Sequence, residues 1–218
     1  MSVEFNNEWY YHYFSNLGYL STVLTDEQMY PICDSITKIQ SDFKSAQNYN
    51  YKLAGNITHE YGVDNCFSYV EELLSPMAIN YLNQFKFTSK QIPSIPGKNP
   101  KPKLLTLWAN FQRKGEFNPH HIHFGLLSFV IWVKVPYLIE DECALIEGVN
   151  PIEKRPGNFT FTYTNALGEI LPCDFPVDRT WENKMIIFPA QLPHLVYPFQ
   201  SSDEFRISLS GNFEIQYD

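Results

Sequence analysis

The sequence predicts a mainly β protein with N-terminal helices, a jelly roll whose helices pack on one sheet. Three observations carry this. Apolar residues recur at helical spacing in the first third of the chain and alternate at strand spacing after Leu104. Short strand-like segments then follow one another to the end, separated by Gly, Pro, Asn and Asp clusters. Aromatic residues make up 16% of the chain, mostly Tyr and Phe, a composition that suits sheets. The expected organisation is a helical support layer and linker over residues 1–103 and a jelly-roll core over residues 104–218. Together they form one structural domain.

Each element has its own signal. Thr25-Asp26-Glu27-Gln28 reads as a capping box, and Met29, Ile32, Ile36, Ile39 and Phe43 then recur at helical spacing. Pro31 is compatible only with a first turn, which leaves the helix start open. A second helix is expected over 64–85, with Val70, Leu73, Leu74, Met77, Tyr81 and Leu82 on one side and Pro76 as a candidate kink. The stretch 91–103 is rich in Pro, Lys and Asn and reads as a solvated linker. From Leu104, the residues Leu105, Leu107, Ala109 and Phe111 face one way, and Thr106, Trp108, Asn110 and Gln112 the other. Further strands are expected at 124–135, 158–163, 169–173, 184–188 and 205–217. In the last of these, Ile207, Leu209, Phe213 and Ile215 form an apolar face. Arg206, Ser208, Ser210 and Asn212 form a polar one, as in a strand that lines a cleft. The insertion 137–156 carries Glu140-Asp141-Glu142 and reads as a solvated loop, with a lid as the alternative that its residues do not decide.

Composition excludes several classes of function. A formal net charge of -8 argues against a nucleic-acid partner, which needs a basic stripe. Cys33, Cys66, Cys143 and Cys173 are scattered with no CxxC pair and read as reduced structural residues. The longest apolar run, 124–135, is too short to span a bilayer, so no membrane partner is expected. The N-terminal residues lack the basic and apolar regions of a signal peptide, and the expected location is cytoplasmic.

The chemistry concentrates in two places. Four of the six histidines lie in Asn118-Pro119-His120-His121-Ile122-His123 and in Phe188-Pro189-Ala190-Gln191-Leu192-Pro193-His194. On a strand, His121 and His123 point to the same face. With His194 from a distant strand they make a three-histidine facial set for a transition metal, open on its other side. His120 has the wrong parity and reads as a rim residue. Arg206 sits between Phe205 and Ile207, and a buried arginine is rare unless paired. It is read as a clamp for a ligand carboxylate, with Ser208 adding a hydrogen bond from the same face. An internal salt bridge is the plainer alternative for Arg206.

The ordered set Trp108-x-Asn110, Gly115-x-x-Asn118-x-x-His121-x-His123, Leu127-Ser128, Phe188-Pro-x-x-x-x-His194 and Arg206-x-Ser208-x-x-x-Asn212 resembles a family of 2-oxoglutarate- and Fe(II)-dependent oxygenases. That family is related to prolyl hydroxylases and is frequent in marine bacterial and phage genomes. The resemblance implies a double-stranded β-helix that holds Fe(II) and 2-oxoglutarate. By it, His121 and His194 are iron ligands, Arg206 and Ser208 bind the far carboxylate of 2-oxoglutarate, and Asn110, Asn118 and Asn212 line the pocket. His123 stands where the wider superfamily has a carboxylate ligand, so the site carries one more positive charge. The expected activity is a dioxygenase that hydroxylates a peptide or small-molecule substrate and releases succinate and CO2. The alternatives are a cupin-type metal enzyme without 2-oxoglutarate and a non-catalytic metal-binding jelly roll.

Overall fold

The computed structural model describes residues 16–53, 55–85, 99–147 and 154–217. Two antiparallel sheets form a jelly-roll sandwich, with helices on the outside of the larger one. Its strands are β1 (Leu20–Val23), β2 (Glu60–Gly62), β3 (Pro100–Gln112), β4 (Asn118–His121), β5 (Leu127–Lys134), β6 (Phe159–Thr164), β7 (Ile170–Phe175), β8 (Lys184–Pro189), β9 (His194–Val196) and β10 (Arg206–Tyr217). The larger sheet runs β1-β8-β5-β10-β3-β2 and the smaller β4-β9-β6-β7.

Helix α1 (Asp26–Ser41) starts at the expected capping box. Gln28 N donates to Thr25 Oγ1 at 3.3 Å, and Thr25 N donates to Gln28 Oε1 at 3.0 Å. Pro31 therefore falls inside the helix rather than in its first turn. Phe43 lies beyond the helix end and stacks on Tyr61 with centroids 5.1 Å apart. Helix α2 (Phe67–Gln84) runs through Pro76 and buries Val70, Leu74, Ala78 and Tyr81. Both helices pack on Leu107, Ala109, Phe111, Phe129, Ile131, Ile187, Ile207, Leu209 and Phe213 of the larger sheet. A second apolar core lies between the sheets, around Val130, Trp132, Phe159, Phe161, Ile186 and Phe188. β5 contributes to both cores, which explains why nearly all of it is apolar. Among the described residues, no helix is long and apolar enough to cross a membrane, and the four cysteines are free.

Several elements differ from the sequence expectation. β3 begins at Pro100, inside the stretch read as linker, of which residues 91–98 lie outside the described residues. β1 and β2 join the larger sheet from the segment read as purely helical, and they are too short to show a period. The pairing of β10 with β3 shifts between Asn212 and Phe213, so that Phe213 faces Leu104 rather than Leu105. This bulge buries Leu104 and turns Leu105 outward, breaking the expected alternation. Within 137–156, a short helix α3 (Ile139–Ala144) replaces the expected loop. Its Glu142 is fully buried and accepts hydrogen bonds from Gln200 N and Ser201 N, each at 2.7 Å. A carboxylate inside the molecule is held this way because the two amides replace its hydration.

β10 is hydrogen-bonded on both edges, to β3 and to β5, and leaves no room at its middle. A Cβ on Gly211 would stand 2.5 Å from Thr106 O and 2.7 Å from the Phe129 ring. Gly211→Ala is expected to destabilise the protein by about 1–3 kcal/mol, the scale of an overpacked core. Urea unfolding measures this, and a variant as stable as the parent would show that β3 and β5 can spread.

Candidate metal centre

The site forms where the open end of the smaller sheet meets the inner face of the larger one. β4 pairs with β9 so that His121 and His194 are direct register partners. The strand ends at His121, so His123 lies just past it rather than on it. Its backbone is held nonetheless, with His123 N donating to Ala190 O at 2.9 Å and Gln191 Nε2 donating to His123 O at 3.0 Å. The three imidazoles converge although His123 lies off the strand. Their ligand nitrogens lie within 4.8 Å of one another, a group able to hold a metal ion. His123 Nε2 and His194 Nε2 are 3.2 Å apart. That matches two nitrogens bound to one metal at about 2.1 Å and roughly 90–110° apart.

The surroundings set the chemistry of these rings. His121 Nδ1 lies 2.7 Å from Pro119 O, and His194 Nδ1 lies 2.9 Å from Leu192 O. Each carbonyl takes the Nδ1–H and leaves the Nε2 lone pair free to bind a metal. Burial, with the neighbouring histidines, holds His194 well below the usual imidazole range and His123 at about 3; burial also lowers His121. All three are therefore neutral ligands at pH 7. A divalent ion held by them keeps its full charge and favours an anionic chelator. His120 is exposed and faces a separate groove with Leu126, Gln191 and Pro193.

One cavity joins the histidines to the expected anion-binding residues. Asn110, Asn118, Arg206 and Ser208 all line it together with His121, His123 and His194. Asn212 does not. It accepts from Ser128 Oγ at 2.6 Å and donates to Thr106 Oγ1 at 3.1 Å, which ties neighbouring strands together beside an adjacent cleft. Arg206 is only 4% exposed and has no ion pair among the described residues. Its Nη1 donates to Gly157 O at 2.7 Å and to Tyr137 Oη at 2.9 Å. A buried guanidinium on two neutral acceptors has its charge uncompensated, and its remaining donors suit a carboxylate. These two bonds also tie Arg206 into the fold.

The polar side chains of this cavity follow from register. Glu60, Asn110, Ser208 and Trp132 are successive partners across β2, β3, β10 and β5, so they form one row on the inner face. Asn110 Nδ2 donates to Ser208 Oγ at 3.2 Å. Glu60 Oε1, Asn110 Oδ1 and Trp132 Nε1 of this row are buried without a hydrogen-bond partner, as is Asn118 Oδ1 from the facing sheet. Buried polar atoms are rarely left unpaired, and here three of the four belong to residues that line one cavity beside three histidines able to hold a metal. That is the condition of a cavity built around a polar ligand. Turning over the Asn110 amide lets Oδ1 accept from Ser208 and aims Nδ2 into the cavity, as an anion requires. Trp132 and Tyr137 escape sequence reasoning. Trp132 sits in an apolar run that reads as core, and Tyr137 opens a segment that reads as loop. Only a buried indole N–H without a partner marks the first.

The comparisons with known proteins agree with this chemistry. The model of the family described as "Putative 2OG-Fe(II) oxygenase" matches residues 106–212, which include all three histidines, Arg206 and Ser208. No curated protein matches the chain. Among solved structures, a prolyl-4-hydroxylase from Pseudomonas putida is similar at 14% identity, over 90% of this chain and 92% of its own, with a TM-score of 0.55. The non-haem alpha-ketoglutarate-dependent epimerase SnoN from nogalamycin biosynthesis is similar at 12% identity, over 90% of this chain and 76% of its own, with a TM-score of 0.52. A structure of SnoN with Fe3+, alpha-ketoglutarate and nogalamycin RO gives a TM-score of 0.51 at 13% identity, over 90% of this chain and 78% of its own. At these identities the likeness is one of fold.

Glu60 offers a test of the inner face. It is 2% exposed; burial first, then the charge of Glu116, pushes its carboxyl up to about 8. The group binds its proton more tightly folded than unfolded, where its value is about 4.3. Its contribution to stability is therefore complete below pH 4 and is lost as pH rises towards 8. Glu60→Gln should match the parent in urea unfolding at pH 4 and be the more stable of the two at pH 9. A parent more stable than Glu60→Gln at pH 9 would mean that Glu60 is ionised and paired.

Proposed function

We propose that the chain, whose residues 106–212 match the model of the 2OG-Fe(II) oxygenase family, is a dioxygenase that hydroxylates a peptide or small-molecule substrate and releases succinate and CO2. Iron and 2-oxoglutarate are its cofactors. His121, His123 and His194 hold the metal through their free Nε2 atoms. Iron with bound 2-oxoglutarate supplies the oxidising chemistry, and the protein supplies position, charge and exclusion of water. Arg206 and Ser208 hold the far carboxylate of 2-oxoglutarate. Trp132 Nε1–H and the turned Asn110 amide complete its hydrogen bonds, and Asn118 borders the same space. Tyr137 and Gly157 O fix the guanidinium, so that its remaining donors keep one direction.

The observation that carries this reading is Arg206, a buried cation with no carboxylate of its own, in the same cavity as three neutral imidazoles. A structural salt bridge, the plain alternative, finds no partner among the described residues. His123 in place of a carboxylate ligand leaves the metal more positive and favours the dianionic co-substrate.

Calorimetry on the metal-loaded protein tests the assignment. Arg206→Lys keeps the charge and loses the planar fork. It should weaken 2-oxoglutarate binding by an appreciable part of the roughly 1.5–3 kcal/mol of a charge-assisted hydrogen bond. Bound metal should stay the same, because Arg206 is not a ligand. Thermal melts of both proteins without 2-oxoglutarate separate this effect from loss of the bonds to Tyr137 and Gly157. An unchanged affinity in Arg206→Lys removes Arg206 from the co-substrate site.

A further inference from the structure

The three-histidine cluster borders two spaces. The inner cavity holds Arg206. The outer one is a cleft of about 420 Å3 lying against His121 and His123, within the size of small-molecule sites. If the inner cavity takes the co-substrate, as proposed above, the outer cleft is left for the molecule that is oxidised, and its walls then state what that molecule is.

One wall is a ladder of rings that ends on a metal ligand. Lys52 Nζ sits 4.4 Å over the Tyr49 ring. Tyr49 stacks on Trp108 within 13° of parallel, with centroids 6.0 Å apart, and Trp108 lies 5.4 Å from the His123 ring. The rim carries apolar side chains in the open, with Leu105 at 42%, Ile122 at 50% and Phe124 at 88% exposure. Leu105 is there because the bulge in β3 turns it outward. Apolar groups gathered at the mouth of a site mark a contact surface, whereas scattered ones do not.

The charge around the cleft is as selective as its shape. The chain carries a net -8, yet no carboxylate lines the cleft among the described residues. Lys52 is its one permanent charge, and it makes no ion pair among the described residues. Lys52 lies over the Tyr49 and Tyr51 rings and is open to solvent, so a cationic substrate meets only a like charge at the cleft and an anionic one meets an opposite charge. We infer that the outer cleft selects a flat, apolar small molecule bearing one anionic group. Its body packs on the exposed rim of Leu105, Ile122 and Phe124 beside the edges of the buried Tyr49–Trp108 stack, its anion lies at Lys52, and its far end reaches the metal. The inference rests on the oxygenase reading of the inner cavity and adds the substrate class.

Calorimetry on the zinc-loaded full chain tests it, with N-oxalylglycine first added to saturation to fill the inner cavity. Three probes of one shape follow, 2-naphthoate, 2-naphthamide and 2-naphthylmethylammonium. The naphthoate should bind about fivefold more tightly than the amide, the scale of one exposed charge contact, and the ammonium should bind most weakly. Lys52→Gln should erase the difference between naphthoate and amide and leave N-oxalylglycine affinity unchanged. Phe124→Ala should weaken both probes alike. Equal binding of the three probes, no binding of any, or displacement of N-oxalylglycine by naphthoate overturns the substrate class while the inner cavity stands. If N-oxalylglycine itself does not bind, the inner-cavity reading fails and the inference falls with it.

Discussion

Strand β10 lies between β3 and β5 and is hydrogen-bonded to both, so its register fixes what faces the helices and what faces the cavity. Ile207, Leu209 and Phe213 close the helical side, and Arg206, Ser208 and Ser210 open the other. A slip of one residue would exchange the two sets, placing a guanidinium in the helical core. The tight approach at Gly211 resists such a slip. The cross-strand row Glu60, Asn110, Ser208 and Trp132 is the result of this register, and it supplies most of the cavity's unpaired polar atoms.

Charge explains the rest of the site. The protein is acidic, but its inner cavity and its outer cleft carry no ionised carboxylate among their lining residues. Arg206 lies on one side, Lys52 on the other, and three neutral imidazoles stand between them. A metal held by those imidazoles adds positive charge at the centre. Such an arrangement favours anions from both directions, the proposed co-substrate from the Arg206 side and the inferred substrate from the Lys52 side. The hydroxyl of Tyr137 and the carbonyl of Gly157 keep Arg206 in place without neutralising it.

Much of this was legible in the sequence because period and chemistry coincide. The alternation of β3 from Thr106 to Gln112 and of β10 from Arg206 to Asn212 identified the two faces. The capping box located α1, and the closely spaced histidines marked the cluster that could hold a metal. What was not legible has local causes. A bulge leaves no mark in a run of leucines, so Leu105 reads as core. Strands as short as β1 and β2 carry no period. Three consecutive acids at 140–142 read as solvated, because nothing in the sequence announces the two amides that receive Glu142. Asn212 shares a face with Arg206, but the length of the strand carries it past the cavity. Trp132 reads as one more apolar residue until its indole nitrogen is found unpaired.

The central claim is one metal at three imidazoles with an anion held between it and Arg206. Anomalous diffraction at the iron edge, from crystals grown anaerobically with Fe(II) and 2-oxoglutarate, measures both parts at once. The account predicts a single iron peak bonded to His121, His123 and His194, with 2-oxoglutarate reaching from that ion to the Arg206 guanidinium. A metal peak that leaves out one of the three histidines, or a co-substrate whose far carboxylate lies away from Arg206, would contradict it.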